Sequence, residues 1–234
     1  MTYPGGKNGP GVYQTIINQI PPHRVYIEPF AGSAAIYRHK RSATLSYLID
    51  KDPSAVAALS PSGDVVGTNQ LGRVAALTTV ICADARGWLK AYDWRGDEFV
   101  YADPPYLDLT RLQGRQIYRH EIQSENDHNS ILDILATLPC SVMISGYWSE
   151  LYGRRLGAWR VVRFQGMNRA GNQTGECLWM NYSEPVALHD YSYLGRNSRE
   201  RQDVKRMKER WLRKLRGMPT VKRQALLAAI SELV

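Results

Sequence analysis

Residues 25–34 read Val-Tyr-Ile-Glu-Pro-Phe-Ala-Gly-Ser-Ala, and this stretch decides the fold. Its first part, residues 25–30, predicts a buried strand, and a helix is predicted over residues 34–41. A glycine turn between a strand and a helix is where an α/β sheet receives a nucleotide-like ligand, because Gly32 permits close approach of the backbone. A purely structural tight turn is the alternative interpretation.

Short β-branched or aromatic runs alternate with helical segments on both sides of this stretch. The alternation predicts an α/β fold with a mainly parallel sheet and helices on both faces. The seven predicted strands are residues 25–30, 45–50, 78–83, 99–102, 141–145, 159–165 and 177–182. The predicted helices are residues 11–20, 34–41, 54–59, 125–138 and 149–156.

The alternation stops after Pro185, and residues 196–234 are predicted to form a basic helical extension. Apolar residues recur at helical spacing between 204 and 215. The Gly-Met-Pro sequence at 217–219 ends this helix, since Gly supplies a left-handed cap and Pro cannot continue it. A second helix is predicted over residues 221–233.

The net charge of +8 is concentrated in this extension. Between Arg196 and Arg216, ten Lys and Arg residues face three acidic residues, and the rest of the chain is near neutral. A basic segment on a neutral body favours a polyanion partner, with nucleic acid ahead of a membrane. Lys205, Arg206 and Arg210 are the predicted phosphate contacts, which anchor without specifying sequence. A solvated amphipathic helix is the alternative.

Composition excludes several classes of protein. The chain has no apolar run of about 20 residues and no signal-peptide pattern at its start, so we expect a cytoplasmic protein. Cys82, Cys140 and Cys177 are far apart and form no C-x-x-C pair. They are predicted to be reduced thiols, with neither a disulfide nor a metal site.

The sequence Asp-Pro-Pro-Tyr at residues 103–106 follows the strand predicted over 99–102 and carries the chemistry. An exocyclic amino group is a poor nucleophile because its lone pair is delocalised into the ring. The Asp103 carboxylate and the Pro104 carbonyl can accept hydrogen bonds from both N–H groups, and Asp103 can stabilise the positive charge that develops when the nitrogen attacks a sulfonium methyl. Tyr106 offers a stacking face for a base. A proline-rich turn with an N-capping Asp is the alternative.

Two further features suit a nucleotide-like ligand. Asp50 ends a predicted strand 22 residues after Glu28, where a carboxylate can bind both hydroxyls of a ribose. The alternative is a strand-end or helix-capping role, which Asp52 can also take. The glycine-rich loop 3–7 can set an aromatic ring on an adenine and place Lys7 near a carboxylate, and a start with no ligand role is its alternative.

In order and spacing, these residues resemble the Dam-like (alpha-group) DNA adenine-N6 methyltransferases over roughly residues 1–185. Loop 3–7 resembles the family's cofactor loop, residues 28–33 its glycine motif and residues 103–106 its catalytic tetrad. Residues 142–147 and 175–178 resemble the strand that closes the target pocket and the start of the late hairpin.

The resemblance implies a class I S-adenosylmethionine-dependent methyltransferase fold over residues 1–190, Rossmann-like with a seven-stranded, mostly parallel sheet. It implies methyl transfer from S-adenosylmethionine, without a metal, to N6 of an adenine flipped out of double-stranded DNA, in a prokaryotic or phage-encoded protein. The implied catalytic residues are Asp103, Pro104 and Tyr106. The implied cofactor-binding residues are Tyr3, Gly5, Gly6, Lys7, Glu28, Phe30, Gly32, Asp50, Asp84 and Asp103. For Asp84, a cap of a helix over residues 85–92 is an equal alternative.

The sequence departs from the family in three places. Thr2 stands where the family commonly has Lys, and Ala34 and Ala35 stand where glycine is frequent. The 52 residues between Asp50 and Asp103 leave no room for the usual target-recognition domain, so we expect short or relaxed sequence specificity. Two loops, 107–121 and 167–175, are the predicted substitutes, with loops of no function as the alternative. Their predicted DNA contacts are Arg111, Arg115, Tyr118, Arg119, Asn168 and Arg169.

Other functions remain open on the sequence alone. The same tetrad chemistry suits an RNA adenine-N6 or a DNA cytosine-N4 methyltransferase, although Tyr106 favours adenine by resemblance. A catalytically inactive nucleic-acid-binding protein is the alternative from another class, and the intact tetrad and Lys7 argue against it. The protein is expected to be a monomer, or a dimer formed through its C-terminal helices.

Overall fold

The computed structural model describes residues 6–59, 67–68, 75–106, 124–167 and 173–232. The chain divides into two compact units, Met1–Tyr191 and Ser192–Val234. The first unit holds one sheet and six helices among its described residues. The second holds two helices. Among the described helices, none combines the length and apolar character needed to span a bilayer.

The sheet has eight strands in the order β3-β4-β2-β1-β5-β6-β8-β7. The strands are β1 (Val25–Glu28), β2 (Leu45–Asp50), β3 (Gly67–Thr68), β4 (Ala75–Cys82), β5 (Glu98–Ala102), β6 (Ser141–Tyr147), β7 (Arg160–Met167) and β8 (Gln173–Met180). Neighbouring strands are parallel from β4 through β2, β1 and β5 to β6. In contrast, β8 runs antiparallel to both β6 and β7, and β3 runs antiparallel to β4. The predicted fold class, a Rossmann-like α/β fold with seven main strands, is confirmed, and the two-residue β3 is an addition to it.

Helices cover both faces of the sheet. They are α1 (Val12–Ile17), α2 (Ala35–His39), α3 (Pro53–Leu59), α4 (Ala85–Ala91), α5 (Glu125–Thr137) and α6 (Glu150–Arg155). The buried side chains of α4, α5 and α6 form one core cluster with the strands, while α1 contacts α2. Every residue of β1 and β5 is buried, as expected for central parallel strands covered on both faces.

The strand order reverses between β1 and β5. From β1 the chain moves outward to β2 and β4, then returns to β5 on the other side of β1 and moves on to β6. A crevice forms at such a switch point, beyond the carboxyl ends of the strands, and open α/β sheets bind their ligands there. In this protein, the glycine turn of residues 29–34 and the tetrad of residues 103–106 follow β1 and β5, the two strands at this switch point.

The second unit consists of α7 (Ser198–Arg216) and α8 (Thr220–Ser231), and neither helix has a buried residue. The Asn197 side chain caps α7 by accepting from the backbone N–H of Glu200. The expected left-handed glycine cap is wrong, because Gly217 is right-handed at φ −80°. Pro219 directly precedes α8 and, having no N–H, suits the boundary between the two helices.

Candidate active site

The glycine turn after β1 is held by a carboxylate from β2. Gly32 has φ +48°, and its N–H donates to Asp50 Oδ2 at 2.7 Å. The other oxygen, Oδ1, accepts from the Asp52 N–H at 2.9 Å. Burial raises the pKa of Asp50, and these backbone hydrogen bonds oppose the rise. Asp50 therefore stabilises the turn at the predicted ligand edge. Asp52 has the capping role instead, because its side chain accepts from the N–H and the hydroxyl of Ser54.

Asp103 leaves β5 at the same edge and is oriented by the neighbouring strand. The parallel register pairs Ala102 with Ile144, so the next residues, Asp103 and Ser145, lie side by side. The Ser145 hydroxyl donates to Asp103 Oδ1 at 2.7 Å, and the Tyr101 hydroxyl lies 2.9 Å from Ser145 Oγ. Because the Ser145 proton serves Asp103, Tyr101 must donate to Ser145. This chain of hydroxyls fixes one oxygen of the carboxylate.

Lys7 occupies the other side of Asp103. Its Nζ lies 3.0 Å from Asp103 Oδ2 and 3.4 Å from Glu176 Oε2. The three side chains are 5%, 19% and 8% exposed, so one ammonium sits between two largely buried carboxylates. Burial lowers the pKa of Lys7, but the nearby Asp103 and Glu176 together raise it by more. The pKa of Lys7 therefore lies above its ordinary value, and Lys7 remains a cation between the two carboxyl groups.

Tyr106 closes the network. Its hydroxyl accepts from Lys7 and lies 3.2 Å from Glu176 Oε2 and 3.4 Å from Asp103 Oδ1. Burial, and then the charges of Asp103 and Glu176, raise the pKa of Tyr106 well above its ordinary value, so the phenol stays neutral and donates. Its ring is tilted against that of Tyr147, with centroids 4.4 Å apart. Tyr106 is thus both a hydrogen-bonding group and part of an aromatic wall.

The antiparallel strand β8 explains how Glu176 reaches this edge. Tyr147 at the end of β6 pairs with Glu176, and Phe164 of β7 pairs with it on the other side. A Cβ at position 166 would lie 2.2 Å from Glu176 Oε1, a distance at which something must shift. Gly166 therefore makes room for the carboxylate, and the hairpin of β7 and β8 is built around it.

A second buried cluster lies behind β1. The Tyr26 hydroxyl donates to Glu28 Oε2 at 2.8 Å, and the Lys40 ammonium lies 4.0 Å from the centre of the Tyr26 ring. Burial raises the pKa of Glu28 to about 8 and lowers the pKa of Lys40 to about 7. Glu28 is thus a core residue bonded to its own strand.

The predicted site residues divide into three groups. Brought together are Lys7, Asp103 and Tyr106, next to the buried Pro104. Elsewhere, Asp84 caps α4 through the Arg86 N–H and pairs with that guanidinium at 3.2 Å, as in the capping alternative. Phe30 packs against the core, and Gly6 is exposed. Outside the described residues lie Tyr3, Gly5, Arg111, Arg115, Tyr118, Arg119, Asn168 and Arg169.

The predicted phosphate contacts on α7 are all exposed. Lys205 lies 4.0 Å from Glu209, and Arg206 lies 3.9 Å from Asp203, whereas Arg210 is exposed on the same helix. Pairs at these distances on an exposed helix contribute little to stability, so these side chains can exchange their partners readily. No group of three or more His, Cys, Asp and Glu in the described part of the chain is arranged to hold a metal ion.

Three members of the network, Tyr101, Ser145 and Glu176, were not predicted as site residues, although Ser145 and Glu176 lie within the stretches 142–147 and 175–178 that resemble the family. Tyr101 and Ser145 lie within predicted strands and resemble core residues. Glu176 directly precedes the apolar run 177–180, and an acid next to the start of a predicted buried strand was the available signal. Its partners are 70 and 169 residues away in sequence, so only the sheet register identifies them.

No protein-family model matches the chain, and no curated protein matches it either. Among solved structures, it is similar to an rRNA methylase from Streptococcus thermophilus, with 12% identity, a TM-score of 0.41, and 73% of this chain and 92% of that chain covered. A methyltransferase from Streptococcus mutans, solved with SAH, has 14% identity and a TM-score of 0.41 over 71% of this chain and 93% of that one. The magnesium protoporphyrin IX methyltransferase of Synechocystis, solved with SAM, has 10% identity and a TM-score of 0.42, covering 74% and 76%.

Proposed function

We propose that the protein transfers a methyl group from S-adenosylmethionine to N6 of adenine in DNA. The observation that carries this proposal is the Asp103 carboxylate at the switch point of the sheet. It is fixed by hydroxyl donors on one oxygen and balanced by a buried cation on the other. Such a preorganised acceptor suits a reaction in which positive charge develops on an amino nitrogen.

The residues present fit S-adenosylmethionine at three points. The Asp50 carboxylate is held at the ligand edge by the N–H groups of Gly32 and Asp52, where a ribose diol needs an acceptor. The turn at Gly32 brings bare backbone to the same edge. Two acidic side chains, Asp103 and Glu176, lie together at this edge and suit a sulfonium cation. When bound, S-adenosylmethionine would supply an electrophilic methyl group.

The chain's own residues would prepare the amino group. Asp103 and the Pro104 carbonyl accept from its two N–H bonds, which frees the nitrogen lone pair for attack. As the N–C bond forms and the S–C bond breaks, one N–H proton must leave. Lys7 is already protonated and cannot take it, so Asp103 is the first acceptor in reach. Tyr106 and Tyr147 offer ring faces on which an extruded base can stack.

DNA is the proposed substrate because the second unit is strongly basic. Helix α7 carries Lys205, Arg206 and Arg210 on exposed positions, and the first unit is near neutral. Phosphate contacts of this kind supply affinity and salt dependence without sequence information. Duplex DNA, single-stranded DNA and RNA are distinguished by the experiment below.

The test is methyl transfer with labelled S-adenosylmethionine to duplex DNA, single-stranded DNA and RNA, followed by mass spectrometry of the nucleosides. We expect N6-methyladenine in DNA, and the Asp103→Ala variant to lose about 100-fold or more in rate while keeping its fold and its DNA binding. Asp93→Ala, at an exposed position before β5, is the matched control and should behave as wild type. Label found only in RNA, or on cytosine N4, would replace the substrate in this proposal, and no label in any acceptor would remove the activity.

A further inference from the structure

Glu176 is a buried carboxylate on β8, between the neighbouring strands β6 and β7. Its side chain is 8% exposed, and Gly166 on β7 leaves space for its carboxylate, since a Cβ there would lie 2.2 Å from Oε1. A buried carboxylate is costly unless it is paired and hydrogen-bonded. Its partners are the Lys7 ammonium at 3.4 Å and the Tyr106 hydroxyl at 3.2 Å, both of which also contact Asp103.

The proposed chemistry creates a conflict at Asp103. One oxygen accepts from Ser145, and the other, Oδ2, accepts from Lys7 at 3.0 Å. The target amino group needs an acceptor on Asp103, and Oδ2 is the oxygen that Lys7 contacts. An ammonium held against Oδ2 draws electron density from it, so Asp103 becomes a stronger acceptor for the amine when Lys7 moves away.

Glu176 is placed to receive Lys7. Its Oε2 is only slightly farther from Lys7 Nζ than Asp103 Oδ2 is, and Tyr106 bridges the two carboxylates. We infer that Glu176 is a positioning residue that holds the Lys7 ammonium while Asp103 binds the target amine. The ammonium stays in the site throughout and shifts from one carboxylate to the other. This inference rests on the proposed function.

The kinetic test compares Glu176→Gln with wild type under single-turnover and steady-state conditions. With a neutral amide at position 176, Lys7 remains on Asp103, and the loss should fall on the step after binding. We expect kcat to fall about tenfold or more, which corresponds to about 1.4 kcal/mol, with KM values for DNA and S-adenosylmethionine within about twofold. Glu176→Asp restores the charge and should recover most of the rate. Glu150→Gln, at an exposed position on α6, is the matched control.

A second readout does not depend on turnover. In protein labelled with 15N at its lysine side chains, the buried Lys7 ammonium gives a resonance that Lys7→Arg identifies by its loss. With S-adenosylhomocysteine present, addition of an adenine-containing duplex should shift this resonance in wild type and leave it nearly unmoved in Glu176→Gln. If Glu176→Gln fails to fold, the shift of the Lys7 resonance in wild type and the rate of Glu176→Asp test the inference.

The outcomes separate the two proposals. A wild-type protein that methylates no nucleic acid removes the proposed function. An active wild type with Glu176→Gln within twofold of its kcat overturns the inference alone, as does a loss confined to the KM for DNA or a Lys7 resonance unmoved by substrate in wild type. A loss in kcat, its recovery in Glu176→Asp and the Lys7 shift together support the exchange.

Discussion

Removal of the Ser145 hydroxyl tests whether the hydroxyl chain orients Asp103. In Ser145→Ala, Asp103 Oδ1 loses a donor at 2.7 Å, and the Tyr101 hydroxyl, buried in β5, loses its acceptor at 2.9 Å. A hydrogen bond to a charged group contributes about 1.5–3 kcal/mol, and an orphaned buried hydroxyl costs about 1–3 kcal/mol. We therefore expect the free energy of unfolding to fall by about 3 kcal/mol or more.

A double-mutant cycle separates these two contributions. Tyr101→Phe alone removes one neutral hydrogen bond and should cost about 1 kcal/mol. In the Tyr101→Phe, Ser145→Ala double variant no hydroxyl is orphaned, so the total loss should be smaller than the sum of the single losses by about 1 kcal/mol or more. Urea unfolding followed by circular dichroism at pH 7 measures all four proteins, with Ser141→Ala at the start of β6 as a near-neutral control.

The activity of the same variants completes the test. A carboxylate free to rotate is a poorer acceptor for the amine, so single-turnover methyl transfer by Ser145→Ala should slow by about tenfold or more. Tyr101→Phe should slow it less, because Ser145 still donates to Asp103. Losses of stability that add within about 0.5 kcal/mol, together with an unchanged rate, would refute the hydroxyl chain.

Three further predictions probe other parts of the molecule. Gly166→Ala puts a Cβ 2.2 Å from the Glu176 carboxylate and should cost activity without loss of the sheet, which circular dichroism and the methylation assay measure together. Because burial lowers the folded-state pKa of Lys40 to about 7 from an ordinary value of 10.5, its destabilising effect is full below pH 7 and disappears as the pH rises towards 10.5. The stability of wild type relative to Lys40→Met should therefore be greater at pH 9.5 than at pH 6 in urea unfolding, and an unchanged difference would contradict the burial argument. Deletion of residues 196–234 should weaken DNA binding and flatten its salt dependence in a titration from low to moderate salt, whereas an unaltered affinity and slope would assign the second unit another role.

The sequence predicts the strands well where one short apolar run makes one strand. All seven predicted strands are present, because central parallel strands are buried on both faces and show as apolar runs. Their ends are less well predicted, since pairing decides them. β8 begins at Gln173 rather than at residue 177 because antiparallel pairing with β7 continues to Met167. Helix α4 was predicted only through the alternative role of Asp84 as a helix cap, because Gly87 weakens the helical pattern.

The site was predictable only in its local parts. Asp103 and Tyr106 follow a strand within one tetrapeptide, so their shared location follows from the α/β pattern. Lys7 and Glu176 lie 96 and 73 residues from Asp103 in sequence. The resemblance of loop 3–7 placed Lys7 in the same site, whereas no local signal links Glu176 to it, because the position of Glu176 depends on the antiparallel register that sets it beside Tyr147. Long-range register is a tertiary property that periodicity does not encode.

The acidic residues at the edge of the sheet differ in the kind of partner that holds them, and this difference indicates which of them takes part in chemistry. Asp50 and Asp84 accept from backbone N–H groups, which cannot move without unmaking a turn or a helix start. Asp103 is held by side chains: Ser145, fixed within β6, and Lys7, which has a second carboxylate within reach. An acid that must bind and release an amino group in each turnover needs one partner that can leave at little cost. Asp84 also pairs with the Arg86 guanidinium, but a backbone N–H holds both Asp84 and Asp50 in place, whereas the partners described for Asp103 are side chains. We therefore expect substitutions at Asp50 and Asp84 to affect binding and stability more than the rate of methyl transfer.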